Sequence, residues 1–145
     1  MDIRLTRGQN PSNTARAYGI SPLDPYVEWC WTPVVGPTTV ALVRRVAALV
    51  NAGEERIPCS DMGRLLGIQA SDELSPSSPL TRTMRRAQQF GLAFWGPEQP
   101  GVYVTFGIFD QMPVLRARNL QRLPMLLRER HAAASPRQLP ACSSG

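Results

Sequence analysis

Between Pro79 and Phe90 the chain reads Pro-Leu-Thr-Arg-Thr-Met-Arg-Arg-Ala-Gln-Gln-Phe, and its polar side chains are of kinds that can address a nucleic acid. Arginine can donate to guanine O6 and N7 together, glutamine can pair with adenine N6 and N7, and threonine hydroxyls suit phosphate oxygens. At helical spacing Leu80, Met84, Ala87 and either Phe90 or Gly91 face inward, leaving Arg82, Arg85, Arg86 and Gln89 on the opposite face. Ser78-Pro79 is a cap followed by a favoured first helical residue, and Gly91 is a stop. Thr81, Arg82, Arg85, Arg86 and Gln89 are therefore the candidate DNA contacts. The plain alternative is a solvated helix face that binds nothing.

A second basic cluster follows, where Leu115, Leu120, Leu123, Leu126 and Leu127 are interspersed with Arg116, Arg118, Arg122, Arg128 and Arg130. Pro124 interrupts it, so the pattern predicts two short helices or one broken at the proline. Arg116, Arg118 and Arg122 are candidates for phosphate contact or for a dimer interface, against a helix that packs on the domain with its arginines in water. A homodimer would suit DNA binding, because two recognition helices can read a palindromic site.

Placement matters more than total charge. The formal net charge is +5 and all 16 basic residues are arginines, a bias that a G+C-rich genome would also produce. The excess lies late in the chain: residues 74–95 hold three arginines and no acid, and residues 96–145 hold six arginines against Glu98, Asp110 and Glu129. A polyanionic partner fits that distribution.

Other chemistries lack their parts. His131 is the single histidine, so a histidine triad or multi-histidine metal site cannot be assembled, and no phosphate-cradling glycine loop is present. Cys30, Cys59 and Cys142 are far apart and form no C-x-x-C pair, which leaves reduced thiols as the expectation. Cys59 precedes a short helix but has no histidine near it in sequence, so a structural thiol is expected. These absences predict no enzyme and no cofactor. No apolar run is long enough to span a bilayer, and the amino end lacks a secretory apolar stretch. A cytoplasmic protein without membrane contact is the expectation.

The elements that would position the arginines come from punctuation and periodicity. Residues 1–25, with Gly8, Pro11, Gly19, Pro22 and Pro25, read as an irregular leader. Tyr26-Val27-Glu28-Trp29-Cys30-Trp31 concentrates aromatics that should pack on the core, or else meet a base or a protein partner. Gly36-Pro37 opens a helix whose Val40, Val43, Val46, Ala47 and Val50 share a face, with Arg44 and Arg45 on its solvated flank and Gly53 as its stop. Arg56-Ile57-Pro58 suggests a short edge strand. Ser60 caps a short helix ending at Gly67, with Met62, Leu65 and Leu66 inward. A polar link over 69–78 leads to the arginine helix. Leu92-Ala93-Phe94-Trp95 and Val102-Tyr103-Val104-Thr105-Phe106 flank a turn of breakers, which predicts a hairpin. Residues 134–145 read as a flexible Ser/Pro/Ala tail.

Helix, short strand, helix, loop, helix, hairpin is the order of a winged helix, and residues 31–107 resemble a winged-helix DNA-binding domain of the broad bacterial regulator type. Pro33, Gly36, Pro37, Ser78-Pro79-Leu80 and Phe90-Gly91-Leu92 also make the chain similar to small winged-helix-like proteins of actinobacteria and their mobile elements. The resemblance implies a third helix in the major groove and a hairpin projecting as the wing, although the hairpin tip carries Glu98 and Gln99 and no arginine. The expected fold is thus mainly α with a small β-hairpin: a winged helix-turn-helix core at 26–107, an irregular leader at 1–25, a Leu/Arg helical extension at 108–133 and a tail. The expected function is binding of double-stranded DNA, as a transcriptional regulator or mobile-element accessory factor. The alternative is a winged-helix adaptor that docks on a transcription or phage assembly without touching DNA.

Overall fold

The computed structural model describes residues 1–71 and 74–134. It corrects the expected fold class, because the chain is an α/β protein built on a four-stranded mixed sheet rather than a mainly α domain with a small hairpin. The strands are β1 (Asp2–Gly8), β2 (Arg56–Pro58), β3 (Ala93–Gln99) and β4 (Tyr103–Phe109), in the order β2-β1-β4-β3. The leader is where the expectation fails most. Residues 2–8 are an internal strand, antiparallel to β2 with Ile3 opposite Ile57, and parallel to β4 with Ile3 beside Val104 and Leu5 beside Phe106. Ile3 and Leu5 are buried while Arg4 between them is exposed, the alternation of a half-buried strand, which the exposed Arg7 ends. Only two apolar residues carry that alternation, too few to announce a strand by local pattern.

The same pairing corrects the wing. The predicted hairpin exists, but β4 is bound along one edge by β3 and along the other by β1, so the hairpin is part of the sheet and does not project from it. On the sheet face away from the helices, the Phe94 ring lies over Gly107 of β4 and Gly8 of β1, where a Cβ on Gly107 would fall 2.2 Å from the ring tip.

The helical layer is α1 (Asn13–Tyr18), α2 (Thr32–Val35), α3 (Pro37–Asn51), α4 (Cys59–Leu66), α5 (Pro79–Gln89), α6 (Ala117–Leu120) and α7 (Met125–Ala134), with a π-helical turn over Val27–Trp31 leading into α2. α3 follows its glycine and proline punctuation, and it buries Val40, Leu42, Val43, Val46 and Ala47. α4 begins one residue before Ser60, with Pro58 preceding it, so Ser60 is not its cap. It buries Cys59, Met62 and Gly63 and leaves Leu65 exposed. Gly63 faces inward instead and packs so closely on Ala70 that an added Cβ would fall 2.4 Å from the Ala70 Cβ. The leucine-arginine segment is broken at Pro124 into α6 and α7, and buries Leu115, Leu123 and Leu127. One apolar cluster runs from Ile3 and Leu5 through α3, α5 and β4 to Leu123 and Leu127. No helix among the described residues is long and apolar enough to cross a membrane. The expected tail lies almost wholly outside the described residues.

The central place of β1 makes a measurable demand. Ile3→Ala removes a fully buried side chain and should lower unfolding stability by about 2–5 kcal/mol in urea melts. An irregular leader would lose almost nothing.

Candidate nucleic-acid interface

The arginine helix forms as its punctuation predicts. Ser78 Oγ accepts the Thr81 N–H at 3.1 Å, and Pro79 occupies the first turn. Leu80, Met84 and Ala87 are buried, which turns Arg82, Arg85, Arg86 and Gln89 outward. Thr81 has a different place: its side chain is buried and its Oγ1 receives the Ser78 hydroxyl at 2.8 Å, so it completes the cap and does not face solvent.

The three arginines of α5 are not equivalent. Arg86 bends back to the end of α2, where its Nε donates to the Val35 carbonyl at 2.8 Å and its Nη2 to the Val34 carbonyl at 3.4 Å. Its guanidinium also lies 5.5 Å from the centre of the Phe90 ring. A cation at the carbonyl end of a short helix satisfies acceptors that have no partner within it. Arg86 is thus largely a structural clamp. Arg82 and Arg85 are exposed and make no hydrogen bond or ion pair among the described residues.

Arg116, Arg118 and Arg122 are brought to the C-terminal end of the same helix. Together with Gln89, Trp31 and Asn119 they line a groove of about 670 Å³ whose described lining contains no carboxylate. None of the three has an ion-pair partner among the described residues; the ion pairs there are Arg7 with Asp110, Arg56 with Asp2, and Arg64 with Asp61. The two clusters that the sequence separates by about one quarter of the chain therefore adjoin at the C-terminal end of α5, where Gln89 lines the same groove as Arg116, Arg118 and Arg122.

The groove is held by buried polar contacts that local pattern does not reveal. Trp31 Nε1 donates to the Pro113 carbonyl at 2.9 Å, and the Leu115 N–H donates to the buried Tyr26 hydroxyl at 2.9 Å. Trp31 also meets Phe90 edge to face, with ring centres 6.3 Å apart. The aromatic segment is in this respect an anchor, with Tyr26 and Trp31 in the core and Trp29 about half exposed. On the other side Asn10 Nδ2 donates to the Gln111 carbonyl at 3.0 Å, and Ile20 and Met112 exchange both backbone hydrogen bonds. Arg128 donates to the carbonyls of Leu120, Gln121 and Leu123, closing the turn between α6 and α7. Elsewhere Cys30 and Cys59 are buried and not disulfide-bonded, and among the described residues no three His, Cys, Asp or Glu converge as a metal-binding group.

This division predicts two kinds of arginine variant. Arg86→Ala should lower unfolding stability by about 1 kcal/mol, because it removes charge-assisted bonds to two carbonyls at a partly exposed site. Arg82→Ala and Arg85→Ala should stay within about 0.5 kcal/mol of the parent protein in the same urea melts.

No family model matches the chain, and no curated protein matches it. Among solved structures, residues 1–300 of the primosome protein DnaB from Geobacillus stearothermophilus give a TM-score of 0.48 at 13% identity, over 88% of this chain and 45% of that one. The chain thus spans less than half the length of that structure, and a likeness at this level carries nothing about function.

Proposed function

We propose that this protein binds double-stranded DNA through the surface formed by α5 and the arginines of residues 116–122, as a transcriptional regulator or mobile-element accessory factor. The observation that carries the reading is that Arg116, Arg118 and Arg122 share a groove with Gln89, which lies on the same outward face of α5 as Arg82 and Arg85, and that none of the five arginines has a carboxylate partner among the described residues. An arginine held by its own acid has already neutralised its charge. These five have not, and they can release counterions from a phosphate backbone. Arg85, which can donate twice, and Gln89, which can donate once and accept once, lie one helical turn apart and suit base edges, whereas Arg116, Arg118 and Arg122 fit backbone phosphates beside them. Arg86 and Thr81 contribute to the shape of this surface and not to the contact.

A second reading, a protein-docking module or a homodimer, is favoured by Met125 and Leu126 of α7, which are 66% and 61% exposed. Large apolar side chains adjacent on one helix are more typical of an interface than of a solvated surface.

Fluorescence anisotropy with a labelled G+C-rich duplex at several salt concentrations separates the two. DNA binding should weaken steeply with salt, and each phosphate-contacting arginine replaced by alanine should reduce the slope of log K against log salt by about one. The combined Arg85→Ala, Arg118→Ala and Arg122→Ala variant should lose most of the affinity. Binding that ignores these replacements, or a duplex that never binds while a protein partner is retained through Leu126, would overturn the DNA reading.

A further inference from the structure

A second group of donors without partners lies toward the opposite end of α5, where the start of α3 opens beside it. Gly36 precedes α3 with φ +92°, and no side chain caps the helix. The first backbone N–H to bond back is that of Val40, to the Gly36 carbonyl at 3.3 Å, so the N–H groups of Thr38 and Thr39 have no acceptor among the described residues. Helix termini of this kind attract tetrahedral oxyanions, because free N–H groups converge and the helix dipole is positive there.

The helix end is not the whole observation. Thr39 is 3% exposed, yet its hydroxyl has no hydrogen-bond partner among the described residues, and it lines a depression of about 370 Å³ shared with Thr38, Arg82 and Arg86. A buried hydroxyl without a partner is costly unless something supplies the missing bond. Arg82 is uncommitted, and Arg86 directs Nε and Nη2 to the carbonyls of α2 while Nη1 has no partner among the described residues. No carboxylate is in the described lining. Two backbone donors, a hydroxyl and the Arg82 guanidinium around one small hollow, with the charge of Arg86 beside them, match the oxygens of a single phosphate.

From this arrangement we infer that the hollow between the start of α3 and Arg82 is a phosphate-binding site, with Thr38 N–H, Thr39 N–H and Oγ1, and Arg82 as its donors. It shares no lining residue with the groove at Gln89, and although Arg82 also belongs to the face of α5 proposed for DNA, the site stands whether or not that groove binds DNA. The shared ligand chemistry is a phosphate oxyanion, either free or as a phosphodiester of a nucleic acid.

The test is an amide-resolved NMR titration of the full chain, first with inorganic phosphate against sodium chloride of equal ionic strength, then with a short DNA duplex. Saturable shifts of the Thr38 and Thr39 amides with phosphate, weakened about tenfold by Thr39→Val and by Arg82→Ala and retained in Thr39→Ser, would support a site for the free anion. The same pattern with duplex alone would support a phosphodiester. Shifts with neither ligand, or shifts that survive both Thr39→Val and Arg82→Ala, would overturn the site. Arg82 is exposed and makes no hydrogen bond or ion pair among the described residues, so its variant decides the matter even if Thr39→Val fails to fold.

Discussion

Asp2–Gly8 divides its backbone donors and acceptors between two neighbours, β2 on one edge and β4 on the other, and the rest of the molecule depends on that double pairing. A strand in the interior of a sheet cannot be withdrawn without exposing backbone groups on both sides. With β1 in place, β4 becomes an internal strand. Its end is then fixed beside Gly8, whose carbonyl accepts the Asp110 N–H at 3.0 Å. From there the chain runs antiparallel to residues near Ile20, passes Tyr26 and Trp31, and delivers Arg116, Arg118 and Arg122 to the end of α5. The basic surface is a consequence of where the amino-terminal strand pairs.

The arginines divide by what they face. Arg44 donates to the carbonyls of Pro22 and Asp24, Arg86 to those of Val34 and Val35, and Arg128 to those of Leu120, Gln121 and Leu123. These three act as fasteners for irregular backbone, a use that suits a planar guanidinium with five donors better than an ammonium. Arg82, Arg85, Arg116, Arg118 and Arg122 reach solvent with their charge uncompensated by described neighbours. Composition cannot separate the two groups, since a residue type carries no record of its partner. Arg86 shows this well: it shares a helix face with Arg82 and Arg85, but the end of α2 lies within its reach.

Most of the helical and hairpin elements were legible because their signals are local. Gly36-Pro37, Ser78-Pro79 and Gly91 act through backbone sterics and one-turn capping bonds, which depend on residues a few positions away. Pro124 breaks its segment for the same reason. The outward face of Arg82, Arg85, Arg86 and Gln89 follows from the inward one, a matter of helical period alone. By contrast Thr81 reads in sequence as a solvent-facing hydroxyl, whereas in the fold the Ser78 hydroxyl accepts from its N–H and donates to its Oγ1.

The amino-acid sequence by itself determined the ends of α3 and α5, the break at Pro124, the hairpin, the apolar side of α5 and the late concentration of positive charge. Only the tertiary structure decided that Asp2–Gly8 is a strand, that β4 is internal, and that Gln89 at the end of α5 and the arginines of residues 116–122 meet at one groove. Capping and helical period act over a few residues and leave marks in local order. Strand pairing between residues 2–8 and 103–109 joins segments about a hundred positions apart, and the stability of each strand lies in the other.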